Sequence, residues 1–406
     1  MSGTVNLPLV KASELKRSWP AVLACFVTAV FGWGFGFTGT SVYLAELHRL
    51  HGWPNALIAS AITEYYLIGA LCLARVHLAL RWLGPGRLLA LGVVLLGLGA
   101  TLFSRSTHSW QLFAAAAVMA AGWASCTSTA ISASLALYFQ RQRGLAITLA
   151  LNGASAAGFT VAPLLLELSQ IVGVGNAVPL VAVGMLVIVL PLIGFGFGFG
   201  GMSAQRVPAA VHVAGAAPMQ TRDVLRGWLF WSIALPFALA LAAQVGLIVH
   251  LVSFLLPRLG AASAATAVSL VSVAAMGGRL ALATVVDRLH QRRAAALSFA
   301  SQAAGLGLMI GFPNQPEMLY AGCLLFGLSV GNVITFPALI VQREFPASAF
   351  ALVIGLSTAV SQFTFALAPA GLGLIRAATG GYSWVLATCI ALQLGAAVLV
   401  LSRRAS

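Results

Sequence analysis

Arg279 is the residue with the most chemistry to offer. It sits in Met276–Arg293, a stretch that begins apolar and ends in Asp287, Arg288, Arg292 and Arg293. Those four charges fit only where a membrane ends. Arg279 lies eight residues before Asp287, about 12 Å deeper along a helix rising about 1.5 Å per residue. In a hydrocarbon layer about 30 Å thick, that depth is near the midplane. A guanidinium there is costly and is by default a candidate functional group. As a binding group it would hold a substrate carboxylate through a two-pronged fork. As a structural group it would pair with an acid or with helix-end carbonyls of a gate.

Other polar groups sit inside apolar stretches and invite the same question. Glu64 is the only acid deep in one of them, about 13 Å beyond Asn55 along a helix. A carboxyl at that depth could carry a proton, and Tyr65 and Tyr66 could offer it hydroxyl partners. His250 could be protonated during a transport cycle or touch an anion; a hydrogen-bonded place between helices is the plainer alternative. Gln244, nearly two helical turns earlier, could line the same cavity. Tyr43, Asn152, Asn332 and Gln362 are further candidate cavity residues.

The elements that must position these residues are set by composition. The chain has 406 residues, 60% hydrophobic and 7% charged, against about 25% charged in soluble domains. It therefore reads as a polytopic membrane protein. The net charge of +14 falls in short clusters between apolar segments rather than along one basic face, which argues against nucleic acid as a partner. The five cysteines are scattered through apolar stretches, with no metal-ligand spacing, and read as packing residues. Gly196–Gly201 formally fits a dinucleotide fingerprint, yet it ends an apolar span with no strand before it. No nucleophile elbow, zinc-protease or phosphate-loop motif occurs, so neither an enzyme nor a bound cofactor is expected.

Twelve apolar segments are each long enough to span, at about 20–46, 55–79, 87–104, 109–138, 145–170, 177–199, 228–256, 262–286, 294–312, 317–340, 349–375 and 381–402. Helices are expected because each satisfies its own backbone polar groups in lipid. With the N-terminus placed inside, sixteen of the 22 Lys and Arg fall in inner connections and four in outer ones. That bias predicts both termini in the cytoplasm. The polar stretch 201–227 divides the chain into bundles at 1–200 and 228–406. Basic clusters and prolines recur between the halves about 200 residues apart: Arg81–Arg87 with Arg288–Arg293, Arg141–Gly144 with Arg343, Pro163 with Pro369. Parallel repeats of this kind suggest a transporter with its substrate between the halves.

These residues resemble the major facilitator superfamily. Its repeated signature, roughly G-x-x-x-D-R-x-G-R-R, is matched by Gly278-Arg279, Asp287-Arg288 and Arg292-Arg293. In the first copy Leu80 replaces the acid, while Arg81, Gly84 and Arg87 remain. The chain is most similar to the monocarboxylate and oxalate–formate branch. His51-Gly52-Trp53, Tyr138–Ala146 and the position of Arg279 carry that likeness, although Ala275 stands where the eukaryotic carriers have an aspartate.

The resemblance implies an all-α membrane fold: twelve transmembrane helices in two pseudo-symmetric six-helix bundles. It implies a secondary active transporter of a small organic anion, monocarboxylate-like; proton coupling is expected through Glu64 or His250, and the compact loops suggest a bacterial inner membrane. Arg81, Arg87, Arg141, Arg143, Asp287, Arg288, Arg292 and Arg343 would form the cytoplasmic gate. Two alternatives stand beside this reading: a proton-driven efflux pump for amphipathic compounds, and a non-transporting membrane sensor or partner subunit. The expected partners are an organic anion, protons and the lipid bilayer.

Overall fold

The computed structural model describes residues 14–140, 142–198, 219–285 and 288–402. Two expected gate residues, Arg141 and Asp287, and most of the expected linker lie outside these residues.

Every long element is a helix, as apolar runs in lipid require. Among the described residues, ten helices are long and apolar enough to cross a membrane, and one bent pair, Pro316–Val333 with Phe336–Glu344, makes an eleventh. The segment Leu57–Ser104 is among the ten, yet its 48 residues would run about 70 Å if straight. It breaks at Gly84, whose φ of 73° is open to glycine at little cost. Pro85 then starts the next helix, where its missing N–H is no loss. The two arms run in opposite directions, because Gly69 and Leu96 both lie against the same level of a neighbouring helix, at Trp123 and Gly122. Counting the arms separately gives twelve spans, in agreement with the sequence.

In chain order the spans are as follows. α1 runs from Glu14–Trp33 through a π-helical turn, Gly34–Thr38, into Gly39–His51. α2 and α3 are the two arms, 55–83 and 85–104. α4 is Ser109–Cys126 with Ser128–Leu135, and α5 is Arg143–Ala156 with Val161–Val172. α6 is Val174–Phe197 and α7 is Trp228–Leu259. α8 is Ala261–Val285, α9 is Gln291–Gly311, and α10 is the bent pair. α11 is Phe350–Thr379 and α12 is Ser383–Leu401.

Packing repeats with an offset of six helices. The pairs α1–α5, α1–α6, α2–α4 and α3–α6 recur as α7–α11, α7–α12, α8–α10 and α9–α12. The two bundles meet mainly along two seams, α2 on α11 and α5 on α8. Glycine lets the α2–α11 seam close tightly, since a Cβ on Gly355 would lie 2.7 Å from the Leu73 carbonyl oxygen; within the second bundle, one on Gly278 of α8 would strike that of Leu328 of α10.

The two ends of the molecule differ. At the end bearing Arg87, Arg143, Arg292 and Arg343, here the basic end, one apolar core runs through both bundles, from Phe139 and Ile147 to Phe336 and Val353. At the opposite end the second bundle has a core of its own, including Phe254, Leu319 and Leu386. The halves are thus sealed at the basic end and parted at the other.

Candidate functional site

Where the halves part, α1, α4, α5, α7, α8, α10 and α11 surround a cavity of about 240 Å³. Its aromatic wall is Trp33, Phe37, Trp123 and Phe365. Hydroxyls from α1, α4, α5, α8 and α11, together with Gln244 and Gln362, supply polar groups. Among the described residues of the lining, Arg279 is the sole charged one and no Asp or Glu occurs.

Helix irregularities gather at this level. The π turn of α1 supplies Phe37 and Thr38, and Tyr65 and Tyr66 both donate to the Gly36 carbonyl inside that turn, at 2.9 and 3.2 Å. Their hydroxyls therefore do not serve Glu64, as the sequence suggested. Trp123 and the Tyr65 hydroxyl fill the space a side chain at position 36 would need. α4 breaks at Thr127, α10 bends by 43° between its two parts, and α5 tightens to a 3₁₀ turn at Ala157–Phe159.

Arg279 reaches the cavity edge but is only 2% exposed. Its Nε and Nη2 both donate to the Gly331 carbonyl of α10, at 2.9 and 2.7 Å. Its Nη1 donates to Ser155 Oγ of α5 at 3.0 Å and to the Leu151 carbonyl. No ion pair to Arg279 occurs among the described residues. The guanidinium therefore ties the second bundle to the first through neutral acceptors alone. Gln362 does the same on the other seam: its Oε1 accepts from Trp123 Nε1 at 2.9 Å, and its Nε2 donates to the Tyr66 carbonyl at 2.8 Å.

The remaining candidates divide. Gln244 lines the cavity and accepts from Gln302 Nε2 at 3.1 Å. Asn152 and Asn332 are buried one residue beyond Leu151 and Gly331, the carbonyls that hold Arg279, but they do not line the cavity. Tyr43 is buried against Phe103, also away from the lining. His250 bonds the Pro369 carbonyl at 3.0 Å and meets Tyr382 edge-on, so it joins α7 to α11 behind the cavity wall. Glu64 shares a helix face with the exposed Ser60, Leu71 and Arg75. That face points outward from the bundle, so Glu64 and Arg279 are not brought together; Glu64 Oε2 is buried without a hydrogen-bond partner.

The expected gate residues also divide. Arg143 donates to the Phe139 and Ala136 carbonyls and lies over the Phe350 ring of α11, 5.6 Å from its centroid, so it crosses between bundles. Arg292 forms a two-pronged pair with Glu344 at 2.8 and 2.7 Å and also bonds the Val400 carbonyl and Ser232. All four helices it joins belong to the second bundle, so this contact staples one half internally. Arg343 donates to the Leu289 carbonyl in the same half. Arg81, Arg87 and Arg288 are exposed. Sequence reasoning missed Trp123, Ser155, Gln302 and Glu344; the two glutamine and hydroxyl positions were visible only as polar residues in apolar runs. Among the described residues, no group of three or more acidic, His or Cys side chains is placed to hold a metal.

The Major Facilitator Superfamily model matches residues 24–369. No curated protein matches the sequence. Among solved structures, the human organic anion transporter MFSD10 (TETRAN) superposes with a TM-score of 0.74 at 14% identity, covering 96% of this chain and all of its own. The proton:xylose symporter XylE, bound to 6-bromo-6-deoxy-D-glucose, gives 0.75 at 10% identity, covering 95% of each chain. At these identities the likeness is one of fold.

Proposed function

The chain belongs to the major facilitator superfamily, and from that premise we propose that it carries a small, partly apolar organic monoanion across a membrane, coupled to protons. As a superfamily member it is a secondary transporter and not an enzyme. The bundles 1–200 and 228–406, joined by 201–227, rock about the cavity. Both termini face the cytoplasm of a bacterium whose inner membrane the protein spans, and the basic end is the cytoplasmic gate. The state described above is then open to the outside.

One observation carries the reading of the cargo. Among the described residues, the cavity wall holds one fixed charge, the Arg279 guanidinium, and no acid to cancel it. Desolvated, such a charge attracts an anion, and a guanidinium fork matches a carboxylate in geometry. Its Nη1 is held by Ser155 Oγ and the Leu151 carbonyl, neutral acceptors that a carboxylate would displace, since it brings a full opposite charge and can accept two parallel bonds from the fork. Four aromatic rings in the wall favour an apolar body behind the carboxylate. The same rings, with Arg279 only 2% exposed, favour a second reading: a proton-driven efflux pump for amphipathic compounds.

Purified protein in proteoliposomes separates the two. Arg279→Ala is expected to abolish uptake of labelled benzoate while the protein stays folded and monodisperse. Arg279→Lys, which keeps charge but loses the fork, should retain a small fraction. Benzoate uptake at the wild-type rate by Arg279→Ala rejects the anion site and leaves the efflux reading.

A further inference from the structure

Three glutamines form a chain through the second bundle, from α12 through α9 to the cavity. Gln393 Nε2 donates to the Ala240 carbonyl at 3.2 Å and to Gln302 Oε1 at 2.7 Å. Gln302 Nε2 then donates to Gln244 Oε1 at 3.1 Å. Gln302 and Gln393 are fully buried, and Gln244 is 5% exposed and lines the cavity. Three amides buried this deep among apolar helices are expensive unless they bond to one another.

The chain has a direction, and a backbone atom sets it. A carbonyl oxygen only accepts, so the group Gln393 turns to Ala240 must be its NH₂. The second proton of that NH₂ goes to Gln302, which fixes the Gln302 oxygen toward Gln393 and its nitrogen toward Gln244. Gln244 must then turn its oxygen inward to accept. Its NH₂ is left as the polar group it shows to the cavity.

We propose that Gln302 and Gln393 are positioning residues that hold the Gln244 amide with its NH₂ toward the substrate. The cavity thereby gains a second donor for an anion, on α7, beside Arg279 on α8. Turned the other way, the same glutamine would offer an oxygen and repel a carboxylate. The inference rests on the anion reading and deepens it.

The test is a double-mutant cycle on benzoate binding to the purified full-length protein, with folding checked by thermal denaturation. Gln244→Ala and Gln393→Met are each expected to weaken binding about tenfold, the scale of one hydrogen bond to a charged group. The double variant should be no weaker than Gln244→Ala alone, because Gln393 acts only through Gln244. Damage to the bundle would instead add to the loss. Gln302→Met breaks the chain at its middle and replaces Gln393→Met should that variant not fold. Additive losses, or unchanged binding in Gln393→Met and Gln302→Met, overturn the relay. Absence of benzoate binding by the wild-type protein overturns the anion reading itself, and the relay's purpose with it.

Discussion

Gln362→Leu should shift the protein toward the state open at its basic end. In the sealed state Gln362 of α11 makes two bonds to the first bundle, to Trp123 of α4 at 2.9 Å and to the Tyr66 carbonyl of α2 at 2.8 Å. Leucine fills similar volume and removes both. The Tyr66 carbonyl lies within a helix and keeps its own backbone bond, while the Trp123 N–H turns to cavity water. Neutral hydrogen bonds contribute about 0.5–1.5 kcal/mol each, so the sealed state loses roughly 1–3 kcal/mol relative to a state in which this contact is absent. At about 1.4 kcal/mol per factor of ten, the equilibrium moves by roughly 5- to 150-fold. Spin labels at positions 81 and 288, exposed at the basic end on opposite halves, would report it. The five native cysteines must first be replaced. Pulsed dipolar spectroscopy should show a longer distance gaining population in Gln362→Leu. A distance distribution identical to that of the parent, in protein that remains folded, refutes the claim that this glutamine holds the seam.

Two further outcomes are expected. Glu344→Ala should leave the Arg292 guanidinium, 3% exposed, buried without its carboxylate, at a cost of about 3–5 kcal/mol; thermal denaturation of the purified protein should show a marked drop, and a melting temperature within a degree of wild type would refute the staple. Glu64→Gln and His250→Gln address coupling in proteoliposomes: loss of the residue that carries the proton should abolish uptake driven by a pH gradient yet spare exchange of labelled for unlabelled benzoate, and persistence of driven uptake in both variants removes both residues from that role.

Much of the architecture was readable from the chain because lipid imposes a strict rule on backbone polar groups. Each apolar run had to be a helix, and the basic stretch Arg81–Arg87 had to part the second run from the third. Counting residues back from a charged helix end pointed to Arg279 inside its span, and there it reaches the cavity edge. What could not be read was direction around a helix axis. In water a polar stripe marks the outer face, but lipid tails are as apolar as a protein core. Glu64 therefore looked equally able to face Arg279 or the outside, and it faces outward. Tyr65 and Tyr66 stand beside Glu64 in the sequence and could offer it hydroxyls, whereas the Gly36 carbonyl in the π turn, some 30 residues away, takes both. Arg292 looked like a gate residue because it ends a signature motif. Its partner, 52 residues on, lies in its own half.

The two seams are related by the six-helix repeat, since α2 corresponds to α8 and α11 to α5. Their fastenings are not alike. The α2–α11 seam is held by a neutral glutamine, and its strength does not depend on charge in the cavity. On the α5–α8 seam the bond is an arginine's, made to acceptors that an anion would displace. A ligand moves a conformational equilibrium only by binding one state more tightly than the other. Under the anion reading, a carboxylate on Arg279 weakens one fastening and leaves the second as it was. The neutral seam then sets how far the empty carrier stays sealed, and the charged seam makes release answer to cargo. Gln362→Leu and Arg279→Lys should differ accordingly: the first shifts the empty protein whether or not benzoate is present, and the second reduces the shift that benzoate induces.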